Sequence, residues 1–182
     1  MTRLATIDEV IGFWRDAGPQ KWFAKDEAFD EACRRFLLTH EAAARGDLND
    51  WELTPEGALA LVLLLDQFPR NMFRGTRRVY QTDPVALMVA DRAIERTFDQ
   101  AVAPELRRFF YLPFMHSENL PDQERSVALN EALGEAESIR WAHHHRDIVA
   151  RFGRFPHRNA ILGRASTPEE EVFLAEEGAF KG

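Results

Sequence analysis

The stretch Ala58-Leu59-Ala60-Leu61-Val62-Leu63-Leu64-Leu65-Asp66 carries eight consecutive apolar residues and then a carboxylate. A helix that is apolar all round has no face for water, so this segment predicts the buried central helix of the core. It is too short to cross a bilayer, which takes about 20 apolar residues. Thr54-Pro55 sets its start: the threonine hydroxyl accepts from the first free backbone N–H groups, and proline at the first helical position has no donor to lose. Working outward, the same punctuation recurs. Thr6 with Glu9 forms a capping box, Asp83-Pro84 and Thr167-Pro168 with Glu170 open further helices, and Gly46 and Gly153 close others. Between these marks apolar residues return every three or four positions, as in Ile7, Val10, Ile11 and Trp14, and no alternating strand-like run occurs. The pattern predicts helices near 6–17, 26–45, 55–66, 84–98, 104–118, 121–133, 136–152 and 168–176, with a kink or break near Leu112 ahead of Pro113. The expected class is all-α, with antiparallel helical hairpins arranged as a compact bundle or a short solenoid.

The 182 residues, 45% hydrophobic and 29% charged, suffice for one core in a single domain, 1–182, and exclude a disordered tail or a disulfide mini-scaffold. Cys33 is the lone cysteine, and Asp8 and Glu9 stand where an export signal needs its apolar run, so a cytoplasmic protein with no membrane association is expected. A net charge of -7 disfavours nucleic acid as a partner. The basic charge is nonetheless concentrated. Residues 67–82 hold Arg70, Arg74, Arg77 and Arg78, residues 148–167 hold Arg151, Arg154, Arg158 and Arg164, and neither window contains an acid. Arginines complementing helix C-termini account for such windows, and so does a site for an anion.

Three segments carry residues suited to chemistry. In Asp66-Gln67-Phe68-Pro69-Arg70-Asn71, Asp66 ends the apolar helix and needs a cationic partner, for which Arg70 or Arg74 is nearest, while Pro69 pushes Phe68 toward extended geometry. That segment reads either as a structural pair locking a turn or as Arg70 and Asn71 offering donors to an anion. In 109–118, FYLPFMHSE with its flanking residues, His116 and Glu118 diverge on a regular helix and converge only if Pro113 unwinds it; His116 is then a core histidine or a general base supported by Glu118. In 141–159, the adjacent His143, His144 and His145 point about 100° apart and cannot share one ion. His145 faces inward with Trp141, Ile148 and Phe152 and needs a partner, such as Glu118 or His116. No Gly-rich phosphate loop, HExxH, CxxC or nucleophile elbow occurs, so no cofactor or metal is expected.

DQFPRN, FYLPFMHSE followed by LPDQERSVAL, and HRDIVARFGRFPHRNAILGRASTPEE together resemble the bacterial family catalogued as domain of unknown function number 924, over about Val10 to Leu174. The resemblance implies a tetratricopeptide-repeat-like right-handed array of helical hairpins and no established activity. Its polar signature falls here on Asp66, Gln67, Arg70, Asn71, Tyr111, His116, Glu118, His145, Arg146, Asp147, Arg154, His157, Arg158 and Asn159. The tail from Ala175 to Gly182 lies outside it.

Two acid-free arginine windows in an otherwise acidic chain lead to the first functional expectation, a binding module for an anionic small molecule or an acidic peptide. Arg70 and Arg158 would grip the anion, Asn71 and Asn159 would add hydrogen bonds, and Asp66, Tyr111, His116, Glu118, His145, Arg154 and His157 would complete the lining. A hydrolase using His116 and Glu118 as an acid–base pair or with His145 as metal ligands, and a protein–protein adaptor, stand as alternatives.

Overall fold

The computed structural model describes residues 3–176, and every regular element among them is helical. The chain divides by its backbone packing into two compact units, the first running to Arg74 and adding Arg78–Pro113, the second comprising Gly75–Arg77 and Phe114 onward.

In the first unit, α1 (Ile7–Ala17) starts from the expected capping box, with Thr6 and Glu9 bonding reciprocally to each other's backbone N–H. A short α2 (Pro19–Trp22) follows. The segment expected as one helix over 26–45 is three pieces: α3 (Glu27–Cys33), capped by the Asp26 carboxylate, a 3₁₀ turn at Arg34–Phe36, and α4 (Leu37–Arg45). At the centre, α5 (Pro55–Val62) is capped by Thr54, and Ala58 to Leu65 are all at most 2% exposed, as a helix with no polar face must be. Around it pack α1 and α7 (Asp83–Glu95). Trp14 supplies a second centre, its ring lying 5.3–5.8 Å from those of Phe29, Phe68 and Phe109.

The apolar helix does not end at Asp66. It widens into a π turn at Leu63–Gln67 and continues through Pro69 as α6 (Phe68–Met72). Phe68 is therefore helical (φ -57, ψ -39) rather than extended. The π turn resolves the conflict, because the Phe68 N–H reaches back to the Leu63 carbonyl, five residues away, and the widened turn accommodates the proline ring. At Pro113 the outcome is a break: a 3₁₀ stretch, Pro104–Phe110, ends ahead of α8 (Leu112–His116), whose first turn holds the proline.

The second unit is built on α9 (Leu120–Leu133) and α10 (Ala136–Phe152), packed against each other across the left-handed Gly134. Beyond Gly153 follow a 3₁₀ turn (Pro156–Arg158), α11 (Asn159–Leu162) and α12 (Pro168–Ala175), the last starting where Thr167-Pro168 predicts, with a Thr167–Glu170 capping box. Phe173 of α12 packs on Phe152 of α10. Residues 177–182, and with them most of the unaligned tail, lie outside the described residues.

Candidate functional site

The DQFPRN block belongs to the first unit, where its polar groups repair the backbone that Pro69 and the π turn disturb. The π turn takes the Phe68 N–H away from the Leu64 carbonyl and Pro69 has none for Leu65, and side chains reach these two carbonyls and the next two. His40 donates from Nδ1 to the Leu64 carbonyl (2.8 Å), Thr82 from its hydroxyl to Leu65, Arg70 to the Asp66 carbonyl, and Asn71 from Nδ2 to Gln67 (3.2 Å). A carbonyl only accepts, so the His40 proton sits on Nδ1, and burial lowers the imidazole's proton affinity. Arg70 also clasps Asp83 with both terminal nitrogens (3.0 and 3.1 Å) and lies 3.3 Å from a carboxylate oxygen of the fully buried Asp66. Burial works to lower the Arg70 pKa, but the Asp66 and Asp83 charges outweigh it and raise the value. Asn71 borders a cleft of about 220 Å³ in which Arg34 pairs with Glu31 and Arg74 with Asp30 beside Glu27, so its basic groups are already matched by acids. Tyr111, in the same unit, donates its hydroxyl to Asp99 (2.7 Å); burial and that carboxylate push the phenol upward.

The other candidates gather in the second unit, where the chain from Phe114 to Glu118 meets the 153–166 loop. Gln123 on α9 points its Nε2 at the carbonyls of Met115 (2.7 Å) and Ser117 (2.6 Å), and Arg158 donates to the His116 carbonyl (2.9 Å). These two side chains close the C-terminus of α8, where backbone acceptors run out of donors. Glu118 accepts from the Phe155 N–H (2.8 Å) and, in a fork, from Arg164 (2.7 and 2.9 Å). Burial would raise its pKa, but Arg164, the Phe155 N–H and Arg158 hold the carboxyl below its ordinary value. Arg154 forks onto Glu170 (2.6 and 2.8 Å), which it keeps at about 2, and Asn159 joins the two forks by donating to Glu170 and accepting from Arg164 (3.0 Å).

Beside this network lies a run of rings. Phe155 stands 5.6 Å from His145 and 5.5 Å from His157, with the Arg158 guanidinium 4.5 Å from its centroid. His145 donates from Nδ1 to the Trp141 carbonyl (2.8 Å), which leaves Nε2 as an acceptor. Burial, and then the charges of His116, His144 and His157, press His145 down to about 3; burial and then Arg158 do the same to His157. Both imidazoles are neutral at pH 7. Among the described residues no group of three His, Cys, Asp or Glu side chains is placed to hold a metal ion.

The structure thus brings His116, Glu118, His145, Arg154, His157, Arg158 and Asn159 together in the second unit, while Asp66, Arg70, Asn71 and Tyr111 belong to the first. Both Glu118 oxygens accept from Arg164, and one of them also from the Phe155 N–H. Residue patterns did not single out His40, Thr82, Asp83, Gln123 or Arg164 as parts of these clusters. Arg164 and Thr82 are visible as members of the two acid-free windows; the acids that pair with Arg70, Arg74, Arg78, Arg151, Arg154 and Arg164 of those windows, namely Asp66, Asp83, Asp30, Glu41, Glu169, Glu170 and Glu118, all lie outside them.

Comparison with known proteins agrees with this architecture. The family model described as a bacterial protein of unknown function, DUF924, matches residues 10–178. The chain is similar to a solved structure of a protein of unknown function from Agrobacterium tumefaciens, with 53% identity over 94% of this chain and 97% of that one and a TM-score of 0.91. Among curated proteins none matches.

Proposed function

Because the chain belongs to the bacterial family of unknown function DUF924, whose description assigns no chemistry, we propose its function from the second unit's side chains: a cytosolic binding module for an anionic small molecule or the acidic end of a peptide. The observation that supports this reading is the crowding of basic groups about Phe155: burial first, and then the charges of His116, His144 and His157 for His145 and of Arg158 for His157, lower the proton affinity of these two imidazoles. Of the nearby carboxylates, Glu170 is bound in a fork by Arg154, while Glu118, forked by Arg164, also feels the Arg158 charge and itself favours protonation of His157. A negative group at the cluster offsets the Arg158 charge and favours the protonated over the neutral imidazoles, so binding takes up protons. Arg70 has no part in the grip, its guanidinium being shared between Asp66 and Asp83.

The test is a thermal-shift panel of phosphorylated and carboxylated metabolites followed by calorimetry in two buffers of different ionisation enthalpy. A ligand at about 100 times its dissociation constant stabilises the folded chain by about 2.7 kcal/mol. The expected result is such a shift with proton uptake, reduced in both Arg158→Gln and His157→Gln. No shift from any member of the panel, or a shift indifferent to both substitutions, removes the reading.

A further inference from the structure

The first unit carries a groove of about 520 Å³ between α1 and α3. On α1 its wall is Glu9, Gly12, Phe13 and Asp16, spaced by three and four so that they share one face. The opposite wall is Ala28, Phe29, Ala32 and, in the following 3₁₀ turn, Arg35; Lys21 of α2 stands at the rim. Phe13 and Phe29 stack across the floor at 5.5 Å, and the Arg35 guanidinium lies 4.5 Å from the Phe13 ring. Two features are unaccounted for within the chain. Gly12 sits inside a helix, where glycine weakens the element, yet a Cβ there meets nothing within 4 Å, so no intrachain contact requires it. The charges are also sorted: Glu9 is held by Arg3 and the Thr6 N–H, but Asp8 and Asp16 stand on the α1 side, Asp16 81% exposed and 4.0 Å from Arg15, against Lys21 and Arg35 across the groove.

We infer that this groove is the contact between two copies of the chain, with Gly12 at the point of closest approach. A two-fold axis presents the same patch from each side, so the acidic wall of one copy meets the basic wall of the other in both directions at once. Glycine and the two alanines let the backbones approach, and the ring pair supplies the apolar area.

Sedimentation equilibrium on the full chain across micromolar concentrations tests this. The expected result is a dimer whose dissociation constant rises more than about tenfold in Gly12→Leu, because the new side chain fills the contact at no cost to the monomer. Arg35→Glu, which removes a base from the opposite wall, weakens the dimer to a similar degree and reads independently should Gly12→Leu disturb folding, as followed by circular dichroism. A monomer at every concentration, or a dimer that neither substitution moves, overturns the inference; so does a monomer that takes a different protein on this face.

Discussion

Gly12 and Gly57 are both helical glycines, and their surroundings set opposite outcomes for one substitution. A Cβ on Gly57 would run into the Trp51 carbonyl and the Thr54 hydroxyl, a backbone atom and a capping group that have no room to give. Gly57→Ala is therefore expected to cost about 1–3 kcal/mol through overpacking. Gly12→Ala, with open space around the new methyl, gains up to about 1 kcal/mol from helix propensity. Urea unfolding of both variants, at concentrations low enough to keep the chain dilute, checks the pair; equal signs would show that side-chain space is not what separates the two positions. Both glycines fall within helix-patterned sequence, and the pattern alone does not distinguish them, since the atom that makes Gly57 obligatory belongs to Trp51 in the preceding 3₁₀ turn.

At the scale of the element, the join from α5 through the π turn to α6 rests on donors supplied from elsewhere. Pro69 has no N–H to offer Leu65, and the Thr82 hydroxyl, 17 residues further on, takes its place. Thr82→Val is expected to cost about 1–3 kcal/mol, the penalty for a buried carbonyl left without a donor. Restoring a backbone donor in Thr82→Val with Pro69→Ala should recover part of that loss, and a double-mutant cycle in urea reads the coupling; strictly additive effects would mean that Thr82 does not substitute for the missing N–H. The eight apolar residues before Asp66 were enough to place a buried helix here, because burial on all sides follows from composition alone. The π turn was not legible, since it depends on His40, 24 residues upstream, as well as on Thr82. The candidate site was legible in the same partial way. The windows at 67–82 and 148–167 marked where the arginines concentrate, but Asp83, Glu118 and Glu170 are delivered by the fold, so local sequence overstated how much positive charge is left over.

For the whole molecule, the buried histidines make stability fall toward acid. His145 and His157 are held at about 3 in the fold against 6.5 in the unfolded chain, and burial lowers His40 as well. Between those two values the unfolded chain binds protons that the folded chain refuses, so protonation favours unfolding. The contribution is fully present above pH 6.5 and is lost progressively as pH falls toward about 3. Each such histidine adds up to about 1.4 kcal/mol of lost stability per pH unit in that window. Glu118 and Glu170 act in the same direction below about 4.5, because both are held under that ordinary value and the unfolded chain takes up protons that the arginine-forked carboxylates of the folded chain refuse. Urea midpoints measured from pH 7 to pH 4 should therefore drop steeply in the wild type. The decline should be shallower in His157→Gln, which keeps a polar side chain but cannot titrate, and the difference between the two profiles should grow below pH 6.5 rather than above it. Parallel profiles would mean that His157 is charged in the folded chain. An anion at the cluster should flatten the wild-type profile as well, by allowing the imidazoles to protonate without leaving the fold, so the slope measured with and without ligand joins the stability of the second unit to its proposed function.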